Sequence, residues 1–164
     1  MLVLVIIVAV ILLIIVFLYN SLVGNRNKVK NSWGQIDVQL KRRFDLIPNL
    51  VEIVKGYSSH ERSTFEGVTS TRTKYLSSST PEDMMKANGE LTTVLGKLFA
   101  VAEDYPELKS NINYLELQDE LSKTEDKISY ARQFYNDVVM EYNNTVQMFP
   151  SSIVAKLCDR KSVV

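Results

Sequence analysis

The chain has 164 residues, with nineteen Lys plus Arg balanced by nineteen Asp plus Glu, one cysteine, and apolar residues making up 46% of the whole. Zero net charge argues neither for a nucleic-acid binder nor for an acidic tail. One cysteine excludes an internal disulfide, and the length beyond the first apolar stretch leaves room for one modest domain with one core.

The first element is unbroken hydrocarbon. Leu2 to Leu18 is seventeen consecutive residues drawn from Leu, Val, Ile, Ala and Phe, and no charged side chain occurs before Arg26. At about 1.5 Å per residue, Leu2 to Val23 forms a helix of roughly 33 Å, enough to cross a hydrocarbon core of about 30 Å. A cleaved signal peptide should open with Lys or Arg and end in small residues, and this segment does neither, so residues 1–23 are expected to be an uncleaved anchor. It has no ionisable residue for a polar pathway and no small-xxx-small pattern for tight helix pairing. The membrane-surface basic residues Arg26, Lys28 and Lys30 follow at once. By the positive-inside rule they place the N-terminus outside and the rest of the chain in the cytoplasm at the cell membrane. The charge is unevenly spread in the same sense, with seven basic and three acidic residues between Arg26 and His60 and twelve against sixteen elsewhere.

The remainder reads as helix. Val29, Trp33, Ile36, Leu40, Phe44, Ile47, Val51 and Val54 follow steps of three and four, as do Phe65, Val68, Arg72 and Tyr75. Met84, Asn88, Leu91, Leu95, Leu98, Ala102 and Tyr105 make the third run, and Leu108 to Phe149 the fourth. Ser77-Ser78-Ser79 ends one helix, and Thr80-Pro81-Glu82-Asp83 opens the next with a capping hydroxyl, proline at the first position and acids in the first turn. Tyr105-Pro106-Glu107 marks another boundary. The first turn falls at Asp45 to Pro48 or at Gly56 to Ser58, where Ser58 and Glu61 fit a capping box. A turn near Gly56 gives a first helix of about 50 Å above the anchor, the better match to the roughly 63 Å needed by the last helix. The expected fold is all-α: an N-terminal transmembrane helix, then an antiparallel up-down four-helix bundle over 24–150 and a short tail over 151–164.

Asn111, Gln118, Glu125 and Arg132 fall seven apart on the last helix, with Asn136 and Asn143 as a second such pair. They form either a polar site inside the bundle or a hydrogen-bonded layer that fixes register, and the second reading is the more ordinary one. A carboxylate-bridged di-metal centre needs Glu-x-x-His twice. The chain has one histidine, His60, which reads as a residue near a helix start. Phosphate loops, zinc-protease and serine-hydrolase signatures are absent. The triplet Lys41-Arg42-Arg43 lacks the aromatic platform of a nucleic-acid contact; ion pairs with acidic helices, lipid or a partner suit it better. Cys158 is expected to be inert.

The run Trp33-Gly34-Gln35-Ile36-Asp37-Val38-Gln39-Leu40-Lys41-Arg42-Arg43-Phe44-Asp45-Leu46-Ile47-Pro48-Asn49-Leu50-Val51 resembles the LemA family of bacterial membrane proteins. So do Ala102-Glu103-Asp104-Tyr105-Pro106-Glu107-Leu108-Lys109, Leu115-Glu116-Leu117-Gln118, and Ala131-Arg132-Gln133-Phe134-Tyr135-Asn136 with Tyr142-Asn143. The resemblance implies one N-terminal transmembrane helix followed by a cytoplasmic antiparallel four-helix bundle, and no established activity. The setting of family members near membrane proteases suggests scaffolding or membrane protein quality control, by association only. Family members often continue through an aromatic and basic tail, which is not carried over onto Leu157 to Val164.

Taken together, these features give a membrane-anchored interaction or scaffold protein. No catalytic residue, cofactor, metal or nucleic acid is expected, and its partners are the lipid bilayer and a protein partner or second copy. Candidate interaction or polar-layer residues are Arg43, Asp45 and Asn49 on the first helix and Gln118, Glu125, Arg132, Asn136 and Asn143 on the last. The alternative is a ligand- or metal-binding bundle using Glu125, Arg132 and the asparagines of the last helix.

Overall fold

The computed structural model describes residues 1–57, 62–158 and 162, and among them every regular element is helical. The elements are α1 (Leu2–Tyr57), α2 (Arg62–Ser77), α3 (Pro81–Glu103), α4 (Pro106–Lys109), α5 (Ile112–Gln147) and α6 (Ser151–Leu157). Helix α1 runs through Pro48, so the chain does not turn at Asp45 to Pro48. Proline is accommodated there as an exposed residue, at the loss of one backbone donor. His60 and the Ser58 to Glu61 capping box lie outside the described residues.

The start of α3 follows its sequence closely. The Thr80 hydroxyl accepts from the Asp83 backbone N–H at 3.1 Å and donates to the Asp83 carboxylate at 2.7 Å. Pro81 occupies the first turn, where its missing N–H would have had no intrahelical partner, and Glu82 and Asp83 face the positive end of the helix dipole. The expected fourth helix is instead two. After Tyr105, with extended backbone, Pro106 starts the single turn of α4, and Ser110 and Asn111 separate it from α5. Asn111 is therefore not a seam residue of the last helix. Its Oδ1 accepts from the Tyr114 backbone N–H at 3.1 Å as the cap of α5, and its side-chain amide donates to the Tyr57 hydroxyl at 3.1 Å.

The chain forms two compact units. In the first, residues 36–129, apolar positions at helical spacing fill the interior: Leu40, Phe44 and Leu50 from α1, Phe65 and Val68 from α2, Leu91 and Leu98 from α3, Leu121 and Ile128 from α5. Phe44 and Tyr75 stack with centroids 4.0 Å apart and planes 5° from parallel. Between α2 and α3, Lys74 pairs with Glu90 at 2.6 Å. Gly67 lies so close to α3 that a Cβ on it would meet a Val94 methyl at 3.3 Å.

The second unit comprises residues 1–35 and 130–164. Val29 packs with Val138 and Tyr142, and Trp33, half-buried, meets Tyr135 edge-on at 5.8 Å. Asn25 donates to the Thr145 hydroxyl at 3.1 Å. Residues 151–164, read from sequence as a tail, begin here with α6. Its Val154 and Ala155 are buried against Leu22, with Leu18 and Val146 packed on the same cluster. From Met1 to Phe17 every residue is exposed and apolar, and α1 as a whole is long and apolar enough to cross a membrane.

Candidate functional site

The most unusual chemistry in the unit of residues 36–129 is a buried cation. Arg43, on α1, is 4% exposed. Its Nη1 donates to Asn88 Oδ1 at 2.5 Å and to the Thr92 hydroxyl at 3.1 Å, both on α3. The same nitrogen meets the Glu125 carboxylate on α5 as an ion pair, reached off the N–H direction, while Arg43 Nε has no protein partner. Three helices thus converge on one guanidinium.

Electrostatics sets the character of this layer. Burial lowers the Arg43 pKa below its ordinary value, because an apolar interior disfavours the charged form, and the Glu125 carboxylate opposes that shift. Asn88 is itself buried, whereas Glu125 is 41% exposed at its side chain. Of the three partners only Asn88 is buried, so the cation meets a dry neutral acceptor on one side and the exposed Thr92 and partly exposed Glu125 on the other. The arrangement neutralises a charge internally and holds α1, α3 and α5 in one register. Nearby, burial first and then the charges of Asp37 and Asp45 push the Tyr75 phenol up to about 12.

The other sequence candidates are not members of this layer. Asp45 and Asn49 are exposed on α1, with Asn49 lining an open groove of about 380 Å³ beside Glu52, Asn113 and Glu116. Gln118 is half-buried. Arg132 and Asn136 are exposed, and Asn143 is half-buried. The structure thus brings Arg43 and Glu125 together and leaves Arg132 and Asn136 in solvent. In the basic triplet, Arg42 forms a 2.6 Å ion pair with Glu120, and Lys41 is exposed. Of the three basic residues after the apolar stretch, Lys28 pairs with Glu141 at 3.3 Å while Arg26 and Lys30 extend into solvent. Among the described residues no three His, Cys, Asp or Glu side chains cluster as metal ligands.

Asn88 and Thr92 were not singled out from sequence as members of the layer. The signal was present for Asn88, the one amide among apolar residues in the repeat from Met84 to Ala102. Thr92 stands one turn further along and left no such mark. A second groove, of about 490 Å³, runs along α2 between Lys55, Arg62, Phe65 and Thr69. Its charges are already engaged: Lys55 stands 5.5 Å over the Phe65 ring, and Arg62 pairs with Glu66 at 3.0 Å.

The chain is similar to known proteins. The LemA family model matches residues 32–163. Protein LemA of Metamycoplasma hominis is 26% identical over 145 residues, which cover 88% of this chain and 66% of that protein. Magnetosome protein MamQ 2 of Paramagnetospirillum magneticum is 26% identical over 163 residues, covering 84% of this chain and 60% of the relative. Magnetosome protein MamQ of Magnetospirillum gryphiswaldense is 24% identical over 171 residues, covering 88% and 63%. The chain spans less than two thirds of the length of these relatives. With a family match that takes in the buried Arg43 layer and both ends of α5, the chain belongs to the LemA family.

Proposed function

We propose that this chain is a membrane-anchored interaction or scaffold protein, not an enzyme. In this reading α1, α2, α3 and α5 form an antiparallel four-helix bundle held on the cytoplasmic side of the cell membrane. The observation that carries it is the division of labour along α1: Met1 to Phe17 expose apolar side chains and no charge, while Arg43 further along turns its charge inward onto Asn88, Thr92 and Glu125. A helix with the first surface suits lipid, and a cation already engaged by Asn88, Thr92 and Glu125 suits a structural layer better than a reacting group. The numbering of partners supports the antiparallel arrangement. In the unit of residues 36–129, Tyr57 meets Asn111 and Arg43 meets Glu125, so partners on α5 rise as those on α1 fall. The exposed Arg26 and Lys30 support a cytoplasmic bundle.

What remains for function is surface, and the anchor would restrict its encounters to two dimensions. A role beside membrane proteases in quality control fits such a module. Photo-crosslinkers placed at exposed positions of the full chain, such as Asn49, Tyr130 and Arg132, and activated in intact membranes should give discrete adducts with a protein partner or a second copy. If only diffuse background appears at all positions and growth conditions, the interaction reading fails.

A further inference from the structure

We propose that α6 is a second membrane contact: a short interfacial helix lying at the boundary of the hydrocarbon core beside the anchor and dipping one apolar edge into lipid. Three observations within the unit of residues 1–35 and 130–164 converge on it. The level of α6 is fixed, because Val154 and Ala155 are buried against Leu22, with Leu18 on the same cluster. Leu22 lies twenty residues after Leu2, a rise of about 30 Å along a helix, which is about the thickness of the hydrocarbon core. Where the span ends, α6 is already packed on it.

The edge of α6 turned away from that cluster is apolar. Ile153 and Leu157, four apart on α6, are 53% and 80% exposed and share one edge, and Phe149 in the turn before α6 is 81% exposed. Single exposed apolar residues are ordinary, but an aligned stripe next to a spanning helix is not a scatter. No acid occurs from Thr145 to Cys158, and Lys156 stands exposed beside the stripe, the arrangement of apolar edge and cationic flank that interfacial helices use. At the start of α6 the Ser151 hydroxyl lies 2.5 Å from the Thr145 carbonyl and 2.9 Å from that of Met148, which lowers the cost of bringing this turn near lipid. The bilayer is the occupant because the stripe continues a surface, Met1 to Phe17, that already suits lipid.

The inference rests on the anchor crossing the bilayer, and the experiment separates the two. In full-length protein carrying Cys158→Ser, an environment-sensitive fluorophore is placed by Ile153→Cys, Leu157→Cys, Met140→Cys or Leu13→Cys, all exposed positions, in vesicles of phosphatidylcholine and phosphatidylglycerol. Lys28 pairs with Glu141, so Met140 sits about 9 Å beyond the level of Leu22 and reports on water. Labels at 153 and 157 should be quenched several-fold more by nitroxide lipids than the label at 140, and several-fold less by iodide. Iodide quenching at 153 and 157 with lipid quenching at 13 would overturn the α6 proposal and leave the anchor intact. Shielding of 153 and 157 from both quenchers would also overturn it, in favour of a protein cover. Loss of lipid quenching at 13 would remove the span itself, and the proposal with it.

Discussion

Replacing Asn88 by alanine takes away the 2.5 Å acceptor of a guanidinium that is 4% exposed. A hydrogen bond to a charged group contributes about 1.5–3 kcal/mol, and here Thr92 and Glu125 remain, so Asn88→Ala should cost about 2 kcal/mol. Arg43→Met removes the cation but strands the buried Asn88 amide, at a cost of about 1–2 kcal/mol. The double variant Arg43→Met/Asn88→Ala leaves neither group behind. Because replacing a buried polar set by apolar atoms is often close to neutral, its cost should fall short of the sum of the singles by about 1–2 kcal/mol. Urea unfolding of the full chain in detergent, followed by helical circular dichroism, reads this directly. With a slope of about 2 kcal/mol/M, Asn88→Ala should lower the midpoint by about 1 M at unchanged slope. If the double variant loses the full sum, Arg43 and Asn88 do not act as one layer and the reasoning is refuted.

Other expectations follow from single features. Tyr75 keeps its proton in the folded state up to about 12, against an ordinary value near 10. The unfolded chain ionises first, so stability should be full below pH 10 and decline as pH rises towards 12, and Tyr75→Phe should flatten that alkaline limb in the same urea assay. Thr80→Ala should cost about 1 kcal/mol through the lost cap and speed hydrogen exchange in the first turn of α3, while Thr80→Asn should restore both. Pro48→Ala should stabilise α1, by at most about 3 kcal/mol from propensity, because Pro48 is exposed and its replacement regains a backbone donor; a fall in stability would show that the packing of Ile47 and Leu50 depends on the proline. Leu22→Ala should cost about 2–5 kcal/mol and raise hydrogen exchange across α6, whereas Leu13→Ala, at a 70% exposed position, should leave α6 exchange unchanged.

Local chemistry was legible in the sequence wherever it was self-contained. Thr80-Pro81 announced a helix start because the cap, the missing donor and the first-turn acids all act within four residues. Seventeen uninterrupted apolar residues announced the long apolar helix for the same reason. What depends on a third helix was not legible. Spacing by seven put Glu125 and Arg132 on one face of α5, but coverage of that face is set by other helices: Glu125 meets Arg43 and α3 lies on the same cation, while Arg132 belongs to a unit built of α1, α5 and α6 alone and is exposed. Asn111 satisfied the same spacing and is a cap, because Pro106 and Ser110 restart the chain just before it. Helix α6 has seven residues, too few for a helical period to stand out, and only its contacts with Leu22 reveal it.

Composition does not record where the surface of α1 changes, and the reason is physical. Leucine serves lipid and protein interiors equally well, so an apolar run does not record where one gives way to the other. Exposure does. The lipid-type surface of α1 is complete only from Met1 to Phe17, a rise of about 25 Å, some 5 Å short of a typical hydrocarbon core of about 30 Å. The missing depth corresponds to Leu18 to Leu22, where protein packing has begun and Leu22 is 1% exposed. A spanning segment can be that short only if whatever covers its last turn is itself compatible with hydrocarbon. The cover here is α6, whose outward edge carries Ile153 and Leu157, with Phe149 in the turn before it. On the α6 proposal, the run of residues 2–23 and the helix of residues 151–157 would form two parts of one membrane-facing surface, separated in sequence by the whole of the helical unit between them.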